Sequence, residues 1–321
     1  MSAYPTTARR EATAPRPAAH PEPSTAHQVG RRRRTRRALL AAAAFLSPLA
    51  VFYGIYYLYA FGFLADMSTK QTSLSFTDVT DVGLENFRLV LTDPAFHTAL
   101  LNNLIFAAVS IVAALTIGFF LAVSLASGVR FRRLFYAVFL LPSLIPLSLF
   151  ATVFGRMLET DDGAVNTALR SMGLGSLTQD WLGSIGPAYM ALFVLLVYLV
   201  GLPVMYYTSD LSTLNTSVLE AAMIDGAKAG QMYRLILFPM LRGTHRTVIL
   251  SVLLGSFRAF DVVYFSSNGQ PGGRTQITGT YLYNTMMGSG RVGYASAAAV
   301  IVLVIAIAVS AVQILLERRS K

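Results

Sequence analysis

Two stretches of this 321-residue chain hold the residue types that could do chemistry. Arg258 and Asp261 lie three residues apart in an otherwise apolar run, about 247–267. An ionisable side chain costs about 2.5–3.5 kcal/mol at the centre of a membrane helix, so such a pair calls for a reason. Three readings compete: a mutually neutralising pair on one helix face, side chains reaching for the outer interface, or polar lining of a solute route. The second stretch, 208–246, reads TSDLSTLNTSVLEAAMIDGAKAGQMYRLILFPMLRGTHR. Ser217 followed by Glu220 is a capping-box pattern that predicts a helix starting at Val218. Gly226 is placed to end it as a C-terminal cap. A second helix then runs through Tyr233 and Ile236 until Pro239 interrupts it. Val218, Ala221, Ala222 and Asp225 fall on one face of the first helix, where small side chains would let another protein's backbone approach.

Other chemistry is excluded. There is no G-x-x-x-x-G-K-[ST] phosphate loop, so the chain supplies no ATP site. His20, His27, His97 and His245 are scattered without metal-ligand spacing, and no metal site is expected. The absence of cysteine rules out disulfides and thiolate chemistry.

The elements that must position these residues follow from composition. Hydrophobic residues make up 54% of the chain and charged residues 13%, with a mean hydropathy of +0.55. A net charge of +10 would suit a nucleic-acid binder, but so apolar a chain has no polar surface to carry that role. Runs at 39–63, 94–129, 134–155, 181–209 and 292–316 can each cross a roughly 30 Å hydrocarbon core as a helix, and 247–267 makes a sixth. The first run is too long for a signal-peptide core and is read as an uncleaved helix. Residues 1–37, rich in Pro, Ala, Thr and Arg, are expected to be a disordered basic tail. Residues 38–317 form the membrane domain and 318–321 a short C-terminal tail.

Charge sets the orientation. With both termini inside, the inside segments 1–38, 128–133, 208–246 and 317–321 hold 19 basic residues and the outside segments only 6. The acids sort the other way, nine outside and six inside. The expected fold is therefore all-α and integral to the membrane, with six helices, N-in and C-in. A cytoplasmic helix-turn-helix loop lies between the fourth and fifth.

That loop carries a resemblance. Glu220-Ala221-Ala222, then Gly226, Ile236 and Phe238-Pro239, closely resembles the cytoplasmic signature of permease subunits in binding-protein-dependent ABC importers, in its carbohydrate-type form. Phe238 stands where the family usually has Leu. FRRLFYAVFLLPSLIP (131–146), GAVNTALRSMGL (163–174) and FRAFDVVYFSSNGQPGGRTQ (257–276) resemble further family segments, the last with an altered glycine register. The resemblance covers about 39–317.

It implies a bacterial cell-membrane permease subunit that is not itself an enzyme and needs no cofactor. A separate ATPase dimer would bind ATP and Mg, a second permease would share the route, and an extracellular binding protein would deliver a sugar, oligosaccharide or related solute. Glu220, Ala221, Ala222, Asp225, Gly226, Ile236 and Pro239 would form the ATPase-coupling site, with Glu220 facing a basic residue of the ATPase. Glu220 can also complete the capping box, and the two roles can coexist. The substrate route would include Arg258 and Asp261, with Tyr264, Asn268, Tyr281, Tyr283 and Asn284 as hydroxyl-binding candidates by type.

Two alternatives belong to other classes. An autonomous secondary transporter would show inverted repeats and broken helices, neither of which is visible in the sequence. A membrane-anchored binder of nucleic acid or lipid would act through the arginine tail. Deleting residues 1–30 should leave solute uptake within about twofold of the full chain, because no transport element lies there; loss of all activity in a radiolabelled-uptake assay would favour the tail-driven reading.

Overall fold

The computed structural model describes residues 25–198, 200–215 and 217–319. Apart from a two-residue antiparallel pair, β1 (Lys70–Gln71) and β2 (Thr80–Asp81), the described chain is helical. The elements are α1 (Thr25–Ser68), α2 (Glu85–Leu91), α3 (Pro94–Ala113), α4 (Phe119–Ala126), α5 (Arg132–Leu144), α6 (Leu147–Met157), α7 (Ala164–Ser171), α8 (Ile185–Tyr198), α9 (Gly201–Leu211), α10 (Ser217–Ile224), α11 (Ala229–Gln231), α12 (Phe238–Met240), α13 (Arg242–Phe257), α14 (Asp261–Ser266), α15 (Thr278–Tyr283) and α16 (Val292–Arg319). Short π-helical turns at Ala114–Gly118, Met232–Leu237 and Asn284–Gly288 join α3 to α4, α11 to α12 and follow α15.

The chain divides into two units, Met1–Phe61 and Gly62–Lys321. In the first, helix α1 starts at Thr25, so residues 25–37 are helical rather than disordered; residues 1–24 of the expected tail lie outside the described residues. From Leu40 the helix is apolar on all sides, as a lipid-facing element needs to be.

Among the described residues, four helical stretches are long and apolar enough to cross a membrane: Leu40–Ser68, Pro94–Ala126, Ile185–Leu211 and Val292–Leu315. The other two expected spans are each broken in two, which the sequence reading did not anticipate. Between α5 and α6, Ile145 is extended (φ −82, ψ 138), because the ring of Pro146 disfavours helical backbone in the residue before it. Between α13 and α14 the chain leaves the helix at Phe260 (φ −140, ψ −54) with no proline or glycine to cause it.

Three apolar clusters hold the second unit together. One joins Phe119, Val204, Tyr207, Leu237, Leu241 and Val248, where α4, α9 and α13 meet the loop after α10. A second gathers Phe96, Tyr281, Tyr294 and Ala298 from α3, α15 and α16. The third, with Phe106, Ala151, Leu192, Val262 and Ile277, lies between α3, α6, α8 and α14.

The two helices that follow the breaks, α6 and α14, pack directly on each other, and Gly155 allows the contact. A Cβ built there would lie 2.7 Å from the Ser266 carbonyl oxygen, an atom that cannot move aside cheaply. Close backbone approach through small residues is how helices gain contact where lipid removes the hydrophobic drive. Gly155→Leu should therefore destabilise the purified protein by about 1–3 kcal/mol, read as a lower unfolding temperature in detergent. Gly186→Ala, at a site with open space around it, should leave that temperature unchanged.

Candidate functional site

The loop between α9 and α13 is built around an exposed helix and a buried anchor. Helix α10 begins at Ser217, one residue before the expected start, and the Ser217 N–H donates to Asn215 Oδ1 at 3.0 Å. Ser217 is thus inside the helix rather than at its cap, and Asn215 takes the capping role. At the other end the Ala227 N–H donates to Ala222 O at 2.9 Å and the Gly226 N–H to Met223 O at 3.1 Å. This is the paired closure of a Schellman turn, and it needs the left-handed backbone that Gly226 supplies at φ +79.

The expected face of α10 divides. Val218, Ala221 and Asp225 are exposed, whereas Ala222 is half-buried and Leu219 packs on the cluster around Phe119 and Tyr207. Ile224 is 86% exposed, and Met223 and Leu235 are also open. Among the described residues Glu220 and Asp225 form no ion pair. The tip therefore presents apolar side chains and two unpaired carboxylates.

Pro239 does not end the second helix. The preceding π turn over Met232–Leu237 widens the backbone, so the bulk of the ring is accommodated and helical structure continues through Met240. Ile236 and Pro239 are half-buried. The bend comes at Leu241, and it leaves the Phe238 carbonyl to be satisfied from elsewhere. Buried His245 supplies the donor, with Nε2 at 2.8 Å from Phe238 O. A carbonyl only accepts, so Nε2 carries the proton and Nδ1 accepts from the Tyr207 hydroxyl at 2.7 Å. The imidazole lies against the Phe238 ring at 4.2 Å, and Thr244 Oγ1 donates to Asp210 Oδ2 at 2.5 Å one residue away. One histidine thus ties the loop to α9 and α13. Its pattern of neighbours is tertiary, and no sequence spacing announces it.

Arg258 and Asp261 do not share a helix face. Arg258 caps the end of α13 and Asp261 opens α14 beyond the break, and neither joins an ion pair among the described residues. Both line a cavity of about 400 Å³ between the two broken spans, together with Ser110, Ser143, Tyr206 and an apolar wall that includes Phe106 and Leu192. The mutually neutralising pair is therefore not formed. Tyr264 and Asn268 instead face a second concavity of about 650 Å³, beside Thr152, Arg156 and Gln270. Tyr264 stacks on Phe260 at 4.7 Å and meets Tyr283 edge-on at 4.9 Å, while Asn284 Nδ2 reaches Asn268 Oδ1 at 3.5 Å.

Tyr281 lies apart from both cavities. It is buried, and its hydroxyl donates at 2.5 Å to Asp93 Oδ2, which also accepts from Tyr294 at 2.8 Å. Burial pushes the Asp93 carboxyl up, but bonds from the two tyrosines and from the Ala95 and Phe96 N–H groups outweigh it and hold it below its ordinary value. This is a clamp joining α3 to α15 and α16. Asn102 and Asn103, both on α3, hold the loop before α15: Asn102 Nδ2 donates to Arg274 O and Gln276 O, each at 2.7 Å, and Asn103 Oδ1 accepts from Thr278 Oγ1 at 2.8 Å.

Comparison with known proteins places this geometry. Residues 114–321 match the family described as binding-protein-dependent transport system inner membrane component. The chain is 31% identical over 280 residues to the probable ABC transporter permease protein YurN of Bacillus subtilis, covering 86% of this chain and 96% of that one. It is 29% identical to the multiple sugar-binding transport system permease protein MsmF of Streptococcus mutans, over 78% of this chain and 86% of that protein. Its similarity to the arabinooligosaccharides transport system permease protein AraP of Bacillus subtilis is 28% identity over 92% and 95% of the two chains. Among solved structures, a chain of a bacterial alginate ABC transporter, crystallised with its pentasaccharide-bound periplasmic protein, shares the fold. Its TM-score is 0.76 at 20% identity, covering 89% of this chain and 96% of that one.

The histidine anchor gives a pH dependence. Burial lowers the His245 pKa below its ordinary 6.5, with the bond to Phe238 O partly opposing the shift. A depressed base is stabilising in its neutral form, so the contribution is complete above pH 6.5 and is lost as pH falls through the lowered folded value. Thermal unfolding in detergent should show this as a falling midpoint from pH 7 to 5. His245→Gln, whose amide can donate and accept but does not titrate, should cost about 1–3 kcal/mol at pH 7 and flatten the slope.

Proposed function

The chain belongs to the binding-protein-dependent transport system inner membrane component family, and from that membership we propose the following mechanism. The protein is a multi-pass permease subunit of an ABC importer, without an ATP site of its own. Its solute is a sugar or oligosaccharide, a reading supported by similarity to permeases named for multiple sugars and for arabinooligosaccharides. A second permease, an ATPase dimer and an external binding protein complete the importer.

Six crossings are made by the four long apolar stretches and the two broken ones, with both termini in the cytoplasm, a reading the distribution of basic residues supports. The loop holding α10 then faces the ATPase. The observation that carries this assignment is the combination at that loop: an exposed helix closed by Gly226 and fixed at its base by His245. A helix with exposed apolar residues is suited to lie in a partner's groove, and a rigid base lets motion there move the membrane helices. Glu220 and Asp225 offer charge to a basic partner, and Ala221 allows close approach. Ala222, Ile236 and Pro239 serve from the inner side by supporting the helix.

The solute route runs by the cavity at the two helix breaks, where Arg258 and Asp261 supply hydrogen-bonding charge, and then by the aromatic group of Tyr264 and Tyr283 with Asn268 and Asn284. The clamped hydroxyl of Tyr281 leaves that residue a structural part. The broken helices on which a secondary transporter would depend are present, yet the family's energy source is a separate ATPase, and here the breaks shape a cavity.

Gly226→Val tests the coupling role. No atom lies within 4 Å of the added carbon, so the effect is confined to the backbone, where a β-branched residue at φ +79 costs about 1–3 kcal/mol. In proteoliposomes the assembled variant complex should retain ATP hydrolysis while uptake falls at least tenfold. Normal uptake by correctly inserted protein would remove the assignment.

A further inference from the structure

A third concavity, of about 400 Å³, lies where the end of α4, the start of α5 and the end of α9 come together. It is distinct from the solute cavity and from the α10 tip. Its α5 wall carries Arg132, Arg133 and Tyr136, and its α9 wall carries Thr208 and Ser212. The two walls differ in hydrogen-bonding character. Arg132 and Arg133 join no ion pair among the described residues, and the Tyr136 hydroxyl has no partner there either. On the opposite wall the hydroxyl protons are already committed, from Thr208 Oγ1 to Val204 O at 2.9 Å and from Ser212 Oγ to Ser209 O at 2.6 Å. Asp210, the acid on the same turn of α9, accepts from Thr244 instead.

One wall therefore offers two guanidinium groups and a phenol as donors, and the other offers oxygen atoms free only to accept. A ligand matching both has an anionic oxygen group at one end and hydroxyl groups at the other. The site also lies at the end of an apolar stretch, Pro94–Ala126, and exposed Phe131, Leu134 and Phe135 flank it on the α5 side. An apolar chain attached to the ligand would have a surface to follow. Arginine binds phosphate by paired N–H bonds, a geometry lysine cannot reproduce.

We propose that this concavity binds the headgroup of an anionic glycerophospholipid with a hydroxylated headgroup, of which phosphatidylglycerol is the simplest. The phosphodiester sits between Arg132 and Arg133, and the glycerol hydroxyls donate to Thr208 and Ser212. The occupant bridges α5 and α9, so it braces the first half of a broken span against a neighbouring helix. The inference rests on the membrane reading of these helix ends, not on the coupling role of α10 or on the transported solute. A failure here therefore leaves those readings untouched.

The test uses the full importer complex, purified in detergent and stripped of lipid. Its unfolding temperature is followed while phosphatidylglycerol, phosphatidylcholine or glycerol 3-phosphate is added. Phosphatidylglycerol should raise the temperature in a saturable way, and the other two should not. Arg132→Lys/Arg133→Lys keeps the net charge, and with it the topology, but should weaken the apparent affinity about tenfold. Arg130→Gln removes a neighbouring charge that does not line the concavity and should change the affinity less than twofold. Three results would overturn the proposal: equal stabilisation by phosphatidylcholine, equal stabilisation by glycerol 3-phosphate, which would make the site one for a soluble phosphate, or a loss in Arg130→Gln as large as in the double variant, which would make the attraction diffuse.

Discussion

Every interruption of a helix within an apolar protein leaves backbone groups that water cannot reach, and this fold depends on how those groups are satisfied. Buried amides and one imidazole do most of it. Asn102 spans the carbonyls of Arg274 and Gln276, Asn103 takes the Ser256 carbonyl at 3.1 Å, and Asn86 bonds Ser68 O and Lys70 O at 3.0 and 2.8 Å. His245 closes the carbonyl left open by the bend at Leu241. An amide side chain carries two donors and an acceptor in one plane, so a single Asn can close two carbonyls and still accept. Asn102 does so, accepting from the Tyr189 hydroxyl at 2.6 Å.

The same constraint explains which features could be read from the chain. Apolar length depends only on local sequence, and so the long apolar stretches were visible, as was the glycine that ends α10. The break before Pro146 follows a local rule and was open to the same reading. The break at Phe260 was not. Its causes come from far along the chain: Asn103 draws on the Ser256 carbonyl, and Gly279 brings another backbone so close that an added Cβ would lie 2.6 Å from Ala259 O. No spacing rule over 247–267 contains residues 103 and 279.

Residue type alone also misleads when it is read without burial. Tyr281 and Tyr264 look equivalent as aromatic hydroxyls near the fifth span. One is fixed in the Asp93 clamp, while the other stands in an aromatic group beside an open concavity. Pro239 misleads in the opposite sense. Proline is costly in a regular α-helix because of one missing donor and one clash, and a wider π turn ahead of it makes room for the ring. The sequence indicates proline but not the turn that receives it.

The two sites are joined by one element. Helix α13 holds His245 in its first turn and ends at the break beside Arg258. Thirteen residues at about 1.5 Å each separate them, a rod of about 20 Å. A rod transmits displacement only if its near end is held and its far end can yield. At the near end the imidazole is bonded on both nitrogens and packed on the Phe238 ring. At the far end the backbone has already left helical geometry, and the ionisable side chains there are unpaired. On the proposed mechanism, motion of α10 would be resisted at the histidine and expressed at Phe260. The cavity between the broken spans would then change shape while the long apolar stretches kept theirs, and the second break, at Ile145, puts a deformable joint in the lining of that cavity.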